Sequence, residues 1–361
     1  MNRRALLKLA GVPAAFLTAG TGLFGAWFAR ARERNPYYQG PPSDHFDGLR
    51  FFNPEGSAEK SLLDLFRAFY VDRHEPWPDR YPSPFRDRPP PRVDGRTLRV
   101  AAIGHASFLI QTAGLNILLD PVFAERASPV PFAGPKRVND PGIAFDDLPR
   151  IDVVLVTHNH YDHLDVAFLS RLAARDAPRV VTPLGNDVIM RAHNPAIRAE
   201  AYDWGAQVIL SEAVAVHLVP TLHWSARGIA DRRKALWASF VLEGPGGRTY
   251  LVGDTGFGDG RNFREARRRF GGFRLALLPI GAYEPRWFMK DFHMNPEEAV
   301  AACLACGASY AVGHHWGTFK LTAEGVERPR ESLAAALAAR EFPAERFRTL
   351  RPGEVWHVPE A

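Results

Sequence analysis

The nine residues Thr157-His158-Asn159-His160-Tyr161-Asp162-His163-Leu164-Asp165 constrain this 361-residue chain more than any other stretch. They follow directly on Ile151-Asp152-Val153-Val154-Leu155-Val156, which reads as a buried strand. Packing gives no reason to crowd imidazoles and carboxylates together. A rigid strand end that carries chemistry does. Imidazole with carboxylate is the donor set of zinc or a similar borderline metal.

Other candidate ligands share this context. His158, His160, Asp162 and His163 follow one predicted strand. His223 follows the strand 215–220, Asp254 follows 248–252 and His315 follows 309–312. Seven such groups at strand ends suit two metal ions. His45, His74, His193, His217 and His357 stand alone and read as ordinary surface or core histidines. Further strands are expected at 98–103, 108–112, 116–120, 179–182, 239–243, 275–280 and 354–358. Gly244-Pro245-Gly246-Gly247 marks a hairpin. Helices are expected near 61–70, 166–174, from 296 and at 332–339. Strands first, then mixed strand and helix, predict an α/β fold of two sheets covered by helices.

Charge separates the amino terminus from the rest. Residues 1–34 carry Arg3, Arg4, Lys8, Arg30, Arg32 and Arg34 against Glu33, which accounts for the formal net charge of +5. The remainder is balanced, so the basic pI gives no reason to expect a nucleic-acid partner. The uncharged run 9–29 after a basic start predicts a signal or membrane anchor over 1–34. Arg3-Arg4-Ala5-Leu6-Leu7-Lys8 resembles a bacterial twin-arginine signal, which predicts a periplasmic or inner-membrane-anchored protein. Residues 35–96 form a Pro- and aromatic-rich extension, and 97–361 the catalytic domain. Cys303 and Cys306 fall on a helix and read as buried, free thiols.

The motif H-x-H-x-D-H resembles that of the metallo-β-lactamase fold superfamily, with His223, Asp254 and His315 following in the family's order. Gly104-His105-Ala106, Asp120-Pro121-Val122-Phe123, His223-Trp224, Gly253-Asp254-Thr255-Gly256-Phe257, Tyr283-Glu284-Pro285-Arg286-Trp287-Phe288-Met289 and His315-Trp316-Gly317-Thr318-Phe319 resemble one branch, the N-acylphosphatidylethanolamine-hydrolysing phospholipases D. This resemblance implies an αββα sandwich with two zinc ions. His158, His160 and His223 would hold one ion, Asp162, His163 and His315 the other, and Asp254 would bridge them. A metal-bridging hydroxide would then attack a phosphodiester, because bound water loses a proton near neutral pH. Asp162, Asp254 and His293 are the expected catalytic residues, with His293 at the phosphate or leaving group. His105 and Asp165 are expected to orient ligand imidazoles from behind. Tyr283, Trp287, Phe288, Met289 and Phe292 are the expected substrate contacts.

The resemblance thus implies a membrane-associated phosphodiesterase that cleaves N-acylphosphatidylethanolamine or a related phospholipid to phosphatidic acid and an N-acylethanolamine. The rival readings are a hydrolase of the same fold acting on a soluble ester, such as a sugar-phosphate lactone, and a non-catalytic metal- or lipid-binding protein.

Overall fold

Alternation along the strands sorts apolar side chains into separate cores, and this creates the layers. In the computed structural model, which describes residues 33–56 and 60–360, Val100, Phe108, Ile110, Ile117, Leu119, Val153 and Leu155 point one way. Ala101, Ile103, Leu109, Leu118 and Val154 point the other. The leader predicted at 1–34 lies almost wholly outside the described residues.

The strands are β1 (Leu98–Gly104), β2 (Ser107–Thr112), β3 (Leu115–Leu119), β4 (Val153–Leu155), β5 (Arg179–Pro183), β6 (Arg198–Tyr202), β7 (Gln207–Ile209), β8 (Ala215–Val219), β9 (Ser239–Gly244), β10 (Gly247–Leu251), β11 (Phe273–Pro279), β12 (Ala308–His314), β13 (Phe347–Thr349) and β14 (Val355–His357). They form two seven-stranded sheets, ordered β14-β1-β2-β3-β4-β5-β6 and β13-β12-β11-β10-β9-β8-β7. Antiparallel pairs at the start of each sheet give way to parallel pairs, β3 to β6 in the first and β10 to β13 in the second. The helices are α1 (Leu62–Phe66), which continues as one π turn over Arg67–Val71, α2 (Val166–Arg175), α3 (Asn186–His193), α4 (Arg261–Phe270), α5 (Arg286–Met289), α6 (Pro296–Cys306) and α7 (Arg328–Ala339).

The central core lies between the sheets, where Val216, Leu218, Phe240, Leu242, Leu275, Leu277 and Val312 meet the inward residues of the first sheet. Outside that sheet, Phe168, Leu169 and Leu172 of α2 cover its far face. Outside the second, α4, α6 and α7 bury Phe263, Phe270, Ala299, Cys303, Leu333 and Leu337. The result is the helix–sheet–sheet–helix sandwich that the resemblance implied. Cys303 and Cys306 are free and buried on α6, and burial pushes the Cys303 thiol up to about 12. That is the behaviour of a small hydrophobe.

The strand and helix expectations hold for most elements, and the hairpin turns at Pro245-Gly246 between β9 and β10. Several elements escaped the sequence reading, the helices α3 and α5 among them. β7 and β13 have three residues each, too few for a period to show. β6 alternates weakly because only Ala199 is buried along it. In α4 the buried residues Phe263, Ala266 and Phe270 recur at helical spacing, but five arginines in ten residues mask them.

The Pro-rich extension is packed against the sandwich, with backbone hydrogen bonds from Glu75 to Ala323, Tyr81 to Val138 and Asp87 to Gly142. Among the described residues no helix is long and apolar enough to cross a membrane.

Candidate metal centre

The strand ends β4, β8, β10 and β12 open at one edge of the sandwich, and the loops leaving them carry the polar groups together. His158 Nε2 lies 2.8 Å from His160 Nδ1, which lies 3.2 Å from His223 Nε2. Asp162 Oδ2 lies 3.2 Å from His315 Nε2. Asp254 Oδ2 lies 3.2 Å from both His163 Nε2 and His315 Nε2, and 3.6 Å from His223 Nε2. All seven predicted groups therefore converge. Joined by His105, they fall into two separate sets able to hold an ion, His158–His160–His223–Asp254 and His105–Asp162–His163–His315. Asp254 also groups with His293 and His315, so it faces both sides.

Asp120 sets the direction of these lone pairs. Its carboxylate accepts from the Thr157 backbone N–H at 2.7 Å, the Thr157 hydroxyl at 2.6 Å and His163 Nδ1 at 2.7 Å. With its proton committed to Asp120, the Thr157 hydroxyl oxygen is left to accept from His158 Nδ1 at 3.0 Å. His223 Nδ1 donates to the Phe292 carbonyl at 3.1 Å. A carbonyl can only accept, so Nδ1 must carry the proton. In the neutral rings of His158 and His223 this leaves Nε2 bare and aimed at the cluster, and the Asp120 contact turns Nε2 of His163 to the same point. Buried without a hydrogen-bond partner are His160 Nε2, Asp254 Oδ1 and His293 Nδ1. Convergent bare nitrogens and orphaned carboxylate oxygen fit a cation, since buried polar groups otherwise find partners.

Electrostatics agree. Burial, helped by neighbouring imidazoles, holds His158 and His223 well below their ordinary value. Burial also takes His160 down to about 4 and His293 to about 3. At His163 and His315 burial again opposes charge, but Asp254 and Asp162 overcome it. His163 is raised well above 6.5 and His315 to about 9. Asp162 and Asp254 are held well below the usual carboxylate range against their burial, with His163 as the main cause. Without metal, two imidazolium–carboxylate contacts hold the second set together.

The backbone is strained here. His105, Asp120 and His315 all have positive φ, of 57°, 39° and 66°. Side chains disfavour that region, and such residues cluster at functional sites. Gly253 and Gly281 permit the close approach of neighbouring segments. A Cβ on Gly253 would stand 2.7 Å from Thr157 Cγ2, and one on Gly281 would stand 2.0 Å from the His315 carbonyl oxygen.

Some predicted residues have other work. Asp165 orients no imidazole. It caps α2 by accepting from the Phe168 N–H at 2.9 Å and also accepts from the N–H groups of Phe123 and Ala124. The chain turns into a helix at Val166, so the last carboxylate of the motif falls at the cap. His105 holds a carboxylate rather than an imidazole, with Nε2 3.0 Å from Asp162 Oδ2. Phe288, Met289 and Phe292 do line the cavity of about 370 Å³ over the cluster, with His293, Trp224, Leu65, Tyr161, Lys60 and Arg232. Trp287 packs instead under the extension, with Nε1 2.8 Å from Asp72 Oδ2 and the Arg67 guanidinium 4.6 Å from its ring. Tyr283 faces a separate cleft beside α7, with its hydroxyl 3.5 Å from Ser332 Oγ. Asp120 had no site role in the sequence reading, although it ends a strand just as the ligand-bearing segments do.

Comparison with known proteins gives a consistent picture. Residues 115–316 match the family model described as a beta-lactamase superfamily domain, a span that holds every cluster residue except His105. The chain is 37% identical over 271 residues to the N-acyl-phosphatidylethanolamine-hydrolyzing phospholipase D 1 of Caenorhabditis elegans, covering 72% of this chain and 75% of that one. It is 35% identical over 353 residues to an uncharacterized protein of Mycobacterium tuberculosis, covering 93% and 92%. A possible metal-dependent hydrolase from Veillonella parvula superposes with a TM-score of 0.59 at 16% identity, covering 72% of this chain and 99% of that one.

The protonation pattern predicts how metal is taken up. His315, raised to about 9, stabilises the metal-free fold fully below about 6.5, and that contribution is lost as pH rises past about 9. A cation needs the same nitrogen bare. Zinc added to apo-protein at pH 7 is therefore expected to release protons, with affinity still rising up to about pH 9. Calorimetry in two buffers of different ionisation enthalpy measures this, and uptake without proton release would contradict the pattern.

Proposed function

Because the chain belongs to the beta-lactamase superfamily, on the branch of the N-acylphosphatidylethanolamine-hydrolysing phospholipases D, we propose that this metal-dependent hydrolase is a zinc phosphodiesterase acting on N-acylphosphatidylethanolamine or a close relative. The observation that carries the reading is the joining of two cation-ready sets to one apolar cavity. His158, His160 and His223 are assigned to one zinc ion, Asp162, His163 and His315 to a second, and Asp254 to both. Zinc supplies an acidified water and polarises phosphoryl oxygen.

The chain's own groups do the rest. Phe288, Met289, Phe292, Trp224 and Leu65 form apolar walls that suit acyl chains and keep bulk water from the phosphate. Asp120, Thr157 and the Phe292 carbonyl hold the imidazoles in one tautomer, so no reorientation is needed during turnover. His105 holds Asp162 from behind. His293 is buried and neutral, with Nδ1 4.0 Å from Asp254 Oδ2. A neutral imidazole keeps one N–H, and His293 is assigned as a hydrogen-bond donor to the phosphoryl or leaving oxygen. Burial lowers its pKa and so favours this neutral, donating form. Hydrolysis adds water across the phosphorus–oxygen bond to the ethanolamine, leaving phosphatidic acid and an N-acylethanolamine.

The segments that line the cavity also carry exposed apolar side chains. Leu63 and Phe66 flank Leu65, Phe132 follows Ala127 in its loop, and Ile229 lies between Ala226 and Arg232. These are assigned as contacts with a lipid surface, which would place the cavity mouth against the substrate's own bilayer.

Three outcomes follow. Zinc-loaded protein given phospholipids that differ only in headgroup should release N-acylethanolamine and phosphatidic acid, identified by mass. Release of free fatty acid, or turnover of soluble esters alone, would defeat the reading. His293→Ala is expected to lower kcat by about 10²-fold or more with zinc content unchanged; loss of zinc would make it a ligand instead. Leu63→Ser with Ile229→Ser should weaken sedimentation with phospholipid vesicles while sparing turnover of a short-chain dispersed substrate.

A further inference from the structure

The extension that precedes the catalytic domain reaches the cluster at two points, and both act on His223. Asn53 is buried, 4% exposed, and lies 170 residues before His223. Its Nδ2 donates to the His223 carbonyl at 3.0 Å. Its Oδ1 accepts from Trp237 Nε1 at 3.2 Å, and the same indole N–H lies 3.0 Å from the Thr221 carbonyl. One side chain thus ties the backbone of His223 to a fully buried tryptophan.

The second contact comes from Lys60. Its Nζ lies 3.1 Å from Asp291 Oδ2 and 3.2 Å from the Trp287 carbonyl. These bonds hold the segment whose Phe292 carbonyl accepts from His223 Nδ1. The extension is itself well anchored. Phe46 and Phe51 pack with Leu236 and Trp237, the Phe51 N–H donates to the Arg233 carbonyl at 2.7 Å, and Asn35 Nδ2 donates to the Lys234 carbonyl at 2.9 Å.

We infer that Asn53 is a positioning residue for His223, so that the extension completes the metal centre. This rests on the reading of His223 as a metal ligand. His158, His160 and His163 lie in one short loop whose backbone bonds to itself, with the His163 N–H donating to the His160 carbonyl at 3.1 Å. His223 sits past the end of β8, in a long connection that runs to β9 without regular structure. No strand ladder holds its backbone, and its buried carbonyl needs a donor. Asn53 supplies that donor while accepting from Trp237. Only a side chain with both functions on one planar group bridges these partners. Aspartate has the shape and lacks the donor, and it would set a carboxylate against a carbonyl oxygen.

Asn53→Asp therefore tests the bond with little change of volume, and Asn53→Ser serves if the aspartate variant fails to fold, as judged by its thermal melt. Full-length apo-protein is titrated with Co²⁺, following the ligand-field absorption and the equivalents bound. Both variants are expected to bind one wild-type equivalent about 10–100-fold more weakly, with an altered spectrum. His223→Ala should lose that equivalent outright, and Trp237→Phe, which spares the bond to His223, should keep most of the affinity. Unchanged affinity and spectrum in a folded Asn53 variant, with loss in His223→Ala, would overturn the positioning role alone. Full retention by His223→Ala would remove the ligand assignment, and the inference with it.

Discussion

The Asp120 carboxylate is the contact on which the site depends. It follows β3 with a positive φ and receives three hydrogen bonds, two from Thr157 and one from His163. Remove it, and His163 loses the group that points Nε2 inward, while the Thr157 hydroxyl is free to turn its proton toward His158. One buried carboxylate thus fixes the tautomer of a residue in each of the two sets. Burial makes this effective, since in a low-dielectric interior a misdirected polar group costs far more than at the surface.

The sandwich exists to make that burial possible. Two sheets sharing the core of Val100, Phe240, Leu277 and their neighbours bring the ends of β4, β8, β10 and β12 to one edge. The loops leaving them bring mutually repelling imidazoles within 3.2 Å of one another. Several of these groups stay neutral because charge is too costly there, and the carboxylates keep His163 and His315 charged until metal replaces their protons. The positive φ values of His105, Asp120 and His315 are held in place by the same packing.

Elements outside the motif finish the centre. The segment from Ala282 to Met294 offers the cavity its aromatic walls on one side. On the other it gives a carbonyl to His223, and its backbone is pinned by Arg286, whose guanidinium donates to the His293 carbonyl at 2.8 Å and pairs with Glu298. Substrate wall and imidazole support are therefore one piece of chain, which couples the shape of the apolar cavity to the order of the metal centre.

Much of this was legible in the sequence, because strand periodicity and a dense donor cluster are local signals. The His158–His163 cluster, the strands behind it and the buried cysteines announce themselves within ten residues or so, while the grouping with His223, Asp254 and His315 and the sandwich itself drew on the family resemblance. Asp165 misled because a carboxylate beside a ligand motif looks like a ligand's support, although the helix expected from 166 already put it at the position of a cap. Tyr283 and Trp287 lie close in sequence to Phe288 and Met289, but Tyr283 falls before the short helix, in a stretch that faces another cleft, and the helix turns Trp287 away from the cavity. Asn53 was invisible, since its two partners lie 170 and 184 residues away. The sequence alone determined which groups can bind a cation and which strands carry them, because those properties reside in residue type and short-range order. The tertiary structure alone decided which nitrogens are bare and which carboxylate directs them, because these depend on hydrogen bonds between segments far apart in the chain, Asp120 with Thr157 and His163 once β3 and β4 pair, and His223 with the Phe292 carbonyl across 69 residues.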